Sequence, residues 1–220
     1  MSDVLQELHQ MLIILRSDVE KFNVNESDQS ARRIFVRAVF ALVEGMTYKL
    51  KQVSLKKSSY LKPVESVFSP GEIALLREES FDLDDKGIVT VKPSNLQLKK
   101  NVRFAFASYA KHYGFDFKLK VDDAGWQSFL EAIQIRNRLM HPKQVGDLEV
   151  SEREIEITNR AKVWFLANMA FLLDSALKVL RSKQSELEAR RAELMSQIKA
   201  EAHEGADSAS NEEDNSSTSA

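Results

Sequence analysis

Seven glycines and four prolines in 220 residues leave this chain almost without punctuation. Long stretches with no breaker are free to run as helices. Within them the apolar residues recur at helical spacing, the pattern of helices that each bury one stripe. Leu5, Leu8, Leu12, Leu15 and Val19 mark a first helix over about residues 3–22. Ile34, Val36, Val39, Phe40, Val43, Met46 and Leu50 mark a second over about 27–55. Ser69-Pro-Gly-Glu72 combines a capping box with proline at the first helical position and opens a short helix. A fourth helix over about 99–113 stops at Gly114, and a fifth is capped by Asp122 or Asp123. That fifth helix carries Trp126, Phe129, Leu130, Ile133 and Met140 and ends against Pro142. Ser151-Glu-Arg-Glu154 is a second capping box, starting a last helix that can reach Ala200. The predicted fold class is all-α.

Two departures interrupt this pattern. Residues 81–91 read as a small β-hairpin turning near Lys86-Gly87. Asp82-x-Asp84-x-x-Gly87 resembles a calcium loop, but Lys86 and Pro93 stand where oxygen ligands are required, so it reads as a turn. The second half of the last helix has a heptad trend, Leu173, Leu180, Leu187 and Leu194, weakened at the other seam position by Gln184 and Arg191. The expected organisation is a helical domain over 1–180, a helical extension with coiled-coil tendency over 181–202 and a disordered tail over 203–220.

Composition narrows the function. The absence of cysteine excludes disulfides, thiolate zinc sites and cysteine nucleophiles. The first residues lack the basic region of a signal peptide, and apolar runs such as 163–173 read as too short and interrupted to span a bilayer. A cytoplasmic protein without a membrane partner is the expectation. Six of the 33 acidic residues, and no Lys or Arg, lie in 201–220, leaving 31 basic against 27 acidic before them. That mild positive balance permits a polyanionic partner without demanding one. The Ser-, Asn- and Glu-rich tail reads as disordered and solubilising.

No glycine-rich phosphate loop occurs, and His9, His112, His141 and His203 have no partner at zinc-motif spacing. No metal or cofactor is expected. His112 sits where a helix leaves carbonyls free, His9 reads as a surface residue, and His203 lies in the tail. His141 remains, in the string Arg136-Asn137-Arg138-Leu-Met-His141-Pro142-Lys143. Asn137 is four residues before His141, so the two share a helix face and the amide can orient the imidazole. Arg136 is five before it, about 140° around an ideal helix, and converges only if the helix loosens, as Pro142 encourages. A near-neutral base, two guanidiniums and an amide suit proton transfer beside a phosphate.

This string resembles the signature of the HEPN superfamily, helical nucleotide-binding domains carrying Arg, four to six residues, then His. The likeness covers about residues 1–180 as helix order and length; the hairpin and the extended last helix lie outside it. The resemblance implies a HEPN-like helical bundle acting as a metal-independent endoribonuclease, with RNA as partner and two copies meeting at a shared cleft in a homodimer. It implies His141 as general acid or base, Arg136 as phosphorane stabiliser and Asn137 as holder of the histidine or a phosphate oxygen. Arg138 and Lys143 would contact the RNA backbone, and Glu44, on the buried side of the second helix, is a candidate to pair with one of the arginines. Toxin–antitoxin or phage-defence systems are the family's settings, with an antitoxin or a nucleotidyltransferase as a further partner. Two other readings stand beside it: a non-catalytic helical scaffold that binds nucleotide or RNA, and the modified target of a nucleotidyltransferase.

Overall fold

The computed structural model describes residues 3–21, 28–56 and 63–215, the last of these without side chains beyond residue 198. Helix accounts for 75% of it, which makes the chain all-α apart from one hairpin. The order is α1 (Asp3–Glu20), α2 (Gln29–Ser54), α3 (Val64–Val67), α4 (Pro70–Leu76), β1 (Glu79–Leu83), β2 (Val89–Pro93), α5 (Leu98–Tyr113), α6 (Ala124–Met140), a 3-10 turn (Val145–Leu148) and α7 (Glu152–Asn215). Two compact units divide the chain, residues 1–176 and 177–220.

In the first unit α2 is the central strut, touching α1, α5 and α6. Asp28 caps it by accepting from the N–H groups of Ser30 and Ala31. Its buried stripe holds Val36, Val39, Phe40, Val43, Met46 and Leu50, joined by Phe35 and Leu42. Ile34, expected in that stripe, lies mostly in water, because neighbours on both sides widen the buried face to include Phe35. Around Phe40 the core continues through Phe129, which stacks on it with ring centroids 6.4 Å apart, and from Phe129 to Trp126 and Trp164. Gly125 permits that closure: a Cβ there would stand 2.5 Å from Trp164. His112, expected at free carbonyls, is instead buried and stacked on Phe68, since α3 folds over the end of α5. Gly114 ends α5 in the left-handed conformation at φ 78°, which only glycine adopts without strain.

The capping boxes at Ser69 and Ser151 are both formed. The hairpin pairs Phe81 with Val91 and Leu83 with Val89, and the Asp84 carboxylate accepts from Lys86 and Ile88 to hold its turn.

The second unit is helical as far as Asn215, so the disorder expected over 203–220 gives way to helix for most of that length; residues 216–220 lie outside the described part. Alanine and glutamate, frequent in that segment, are strong helix formers. Leu177, Leu187, Leu194 and Ile198 are each about half in water. One window between Glu152 and Ile198 is long and apolar enough by composition to cross a membrane, contrary to the reading of 163–173 as too interrupted. Trp164, Phe165, Met169 and Leu172 of this helix are buried in the core of the first unit.

Candidate functional site

The end of α6 carries the motif, and its local geometry follows from Pro142. The residue before a proline avoids helical dihedrals, and His141 accordingly leaves the helix at φ −132° and ψ 58° while its N–H still donates to the Asn137 carbonyl at 3.0 Å. The imidazole is exposed. Because His141 has turned out of the helix, Asn137 does not orient it. Its Oδ1 accepts instead from Arg136 Nη1 at 3.1 Å.

Arg136 is the better-held member. Its Nη2 lies 2.5 Å from Glu44 Oε1, across from α6 to α2, with the arginine side chain 25% exposed and the glutamate 43%. The pairing of Glu44 with a motif arginine is therefore present, and Arg136 is the arginine it takes. Both line a cleft of about 840 Å³ with Tyr48, Gln134 and Asn137, closed on the far side by residues 96–101. Asn101 Oδ1 is buried in this wall with no hydrogen-bond partner among the described residues. Glu78 completes the wall, held by the fully buried Lys51 at 2.5 Å and set in the left-handed region at φ 60°. His141 is not among the lining residues.

Arg138 belongs to a different structure. Its Nη1 donates to the carbonyls of Asp147 at 3.0 Å and Glu149 at 2.8 Å, and its Nη2 pairs with Glu154 at 2.6 Å. The guanidinium expected to contact an RNA backbone thus holds the loop after the motif. Two arginines that sequence reasoning passed over do the same from α2: Arg32 reaches the Val150 carbonyl at 2.9 Å and Arg33 the Leu148 carbonyl at 3.1 Å. Gln29 brackets Val150 from both of its backbone groups. Nothing in the string Arg32-Arg33 distinguishes it from a solvated helix face; only the approach of the loop gives it carbonyls to hold.

Within the loop the Asp147 carboxylate accepts from the N–H groups of Lys143 and Gln144, at 2.8 and 3.1 Å. These bonds, with the Arg138 charge behind them, hold its pKa below the usual carboxylate range. The Lys143 side chain itself is exposed. The chain thus offers one exposed histidine on a braced loop, an exposed lysine beside it, and one ion-paired arginine in an adjoining cleft. Among the described residues no three His, Asp or Glu side chains are grouped to hold a metal ion.

Compared with known protein families, with curated proteins and with solved structures, the chain finds no match in any of the three.

Proposed function

We propose that this chain is a metal-independent endoribonuclease of HEPN type, cleaving RNA at a site composed from two copies of the Arg136–His141 segment. One observation carries the reading: Arg136, held by Glu44 and Asn137, lines a large polar cleft, while His141 stands exposed on a loop braced just beyond it. Such bracing is the preorganisation that an electrostatic or proton-transfer role requires.

Cleavage by internal attack needs two proton carriers. A base takes the proton from the ribose 2′-hydroxyl as the 2′-oxygen bonds to phosphorus. An acid returns a proton to the 5′-oxygen as its bond to phosphorus breaks, leaving a 2′,3′-cyclic phosphate. The motif of one chain supplies one histidine, so a second His141 across a two-fold completes the pair. Arg136 stabilises charge on the pentacoordinate phosphorus, Asn137 and Glu44 position that guanidinium, and Lys143 contacts the backbone. Arg138 and its bonds to the loop keep His141 in place.

A second reading, a non-catalytic helical scaffold, draws on the same geometry, because both motif guanidiniums already have acceptors within their own chain. Incubation of the protein with tRNA, rRNA and mRNA in EDTA separates the two. Cleavage ending in a cyclic phosphate, lowered roughly 10²-fold by His141→Ala, is the expected result. Arg136→Lys is also expected to impair it, since an ammonium does not reproduce a bidentate guanidinium. Activity that needs Mg²⁺, or that survives His141→Ala, ends the ribonuclease reading.

A further inference from the structure

The hairpin is amphipathic with its apolar face in water. Phe81, Leu83, Val89 and Val91 share one face by register, and each is about 60% exposed. Ile88 in the turn is 59% exposed. Together they leave on the order of 500 Å² of apolar surface uncovered, the size at which patches on soluble proteins mark interaction sites. The opposite face is polar, with Asp82 paired to Lys92 at 2.6 Å. β1 pairs only with β2, so its outer edge is open among the described residues, and a two-stranded hairpin alone is marginally stable.

The complement lies elsewhere on the first unit. Residues 115–121 alternate like a strand: Phe115, Phe117, Leu119 and Val121 are half-buried, and Asp116, Lys118 and Lys120 are exposed. Among the described residues this segment pairs with no strand, and no N–H from Asp116 to Asp122 donates to a backbone carbonyl. The Lys120 carbonyl accepts from Trp164 Nε1, so the backbone groups of Leu119 and Val121 face the other way in an alternating chain. Beside the segment runs an apolar groove of about 630 Å³ floored by Val163 and Phe171 of α7, both more than half exposed, with Lys118, Lys120 and Arg160 at its rim.

We propose that the occupant of this groove is the β1 strand of a second copy of this chain, added antiparallel to residues 115–121. One register satisfies both faces. Phe81 stands opposite Val121 and Leu83 opposite Leu119 on the side of Val163 and Phe171. On the outer side Asp82 stands opposite Lys120 and Asp84 opposite Lys118. Directly opposed unlike charges and apolar pairs are what stabilise an antiparallel ladder. The same segment rejects its own copy: antiparallel pairing about Leu119 sets Lys118 against Lys120 and Asp116 against Asp122. Main-chain bonds supply affinity and the alternating side chains supply register, as in strand addition generally. The contact is heterologous, so it closes as a reciprocal pair or continues head to tail.

The chain has no cysteine, so a disulfide reports the register directly. Ser80 and Asp122 face each other in it and neither takes part in the charge pairs. Mixing full-length Ser80→Cys with full-length Asp122→Cys under mild oxidation is expected to give an 80–122 cross-linked pair, while each variant alone gives far less. Lys118→Glu/Lys120→Glu is expected to raise the Kd for self-association at least about tenfold, and Leu83→Asp to do the same from the hairpin side. A mixture of those two variants is expected to recover a 1:1 complex, because one intact hairpin and one intact groove remain. Absence of the mixed cross-link, or self-association that both variants leave unchanged, overturns the proposal; in that event association runs through another surface, or the groove takes a strand from a different protein.

Discussion

The two ends of α6 are built on opposite principles. At its N-terminal end packing decides everything: Gly125 lies under Trp164, and Trp126, Phe129 and Trp164 form a continuous aromatic cluster with centroids 5.1–5.5 Å apart. At its C-terminal end charge and hydrogen bonding decide: Arg136 to Glu44, Arg138 to three groups of the following loop and Glu154, and Asp147 back to the loop's own N–H groups. The first end is interior and tolerates little change of volume. The second is half in water, where individual contacts count for less in stability but hold side chains in defined places. A single helix thus anchors the fold with one end and presents chemistry with the other.

The sharpest way to break this comparison is at the packed end. Phe129→Ala removes a fully buried ring and is expected to cost about 3–5 kcal/mol, read as a lowered denaturant midpoint. Gly125→Ala must displace the Trp164 ring and is expected to cost about 1–3 kcal/mol, with a change in tryptophan fluorescence. At the polar end Arg138→Ala leaves two carbonyls and the Glu154 carboxylate without their donor, an expected loss of about 1–2 kcal/mol. Hydrogen exchange should then quicken across residues 143–149, and Arg138→Lys should restore little, since one ammonium cannot replace the fork.

His141→Ala is the counterpart, with an expected change in melting temperature near zero because the side chain is exposed. A drop of many degrees would make the histidine a structural cap. The smallest effect is that of pH. The folded-state pKa of Asp147 is depressed, so its contribution is present above the ordinary carboxylate pKa of about 4 and is lost as pH falls through the lower folded value. Acid should therefore loosen residues 143–148 locally, and Asp147→Asn should remove that response; exchange rates measured on either side of pH 4 decide it.

Helix positions, caps and stops were largely legible in the residues, because each depends on neighbours three or four places away. Asp28, Ser69 and Ser151 at helix starts, Gly114 and Pro142 at ends, and the leucine and valine stripes of α1 and α2 all act within a turn or two. The hairpin was legible for the same reason, through Asp84 and Gly87 in its turn.

Roles that depend on long-range partners were not. Arg136 and Arg138 are two residues apart and chemically identical, yet one meets a carboxylate from α2 while the other closes a loop on its own side. Arg32 and Arg33 acquire carbonyls more than a hundred positions away. His112 is drawn into an aromatic stack by α3. Periodicity says which face of a helix is buried, because burial follows the 3.6-residue repeat. It cannot say which guanidinium finds which acceptor, because that is set by where another helix happens to pass. The all-α class and the location of the motif at a helix end were therefore decided by the sequence alone. The division of that motif into a guanidinium in a cleft, a guanidinium that holds a loop and an exposed histidine was decided only by the packing of α6 against α2 and by the loop folded back from Pro142.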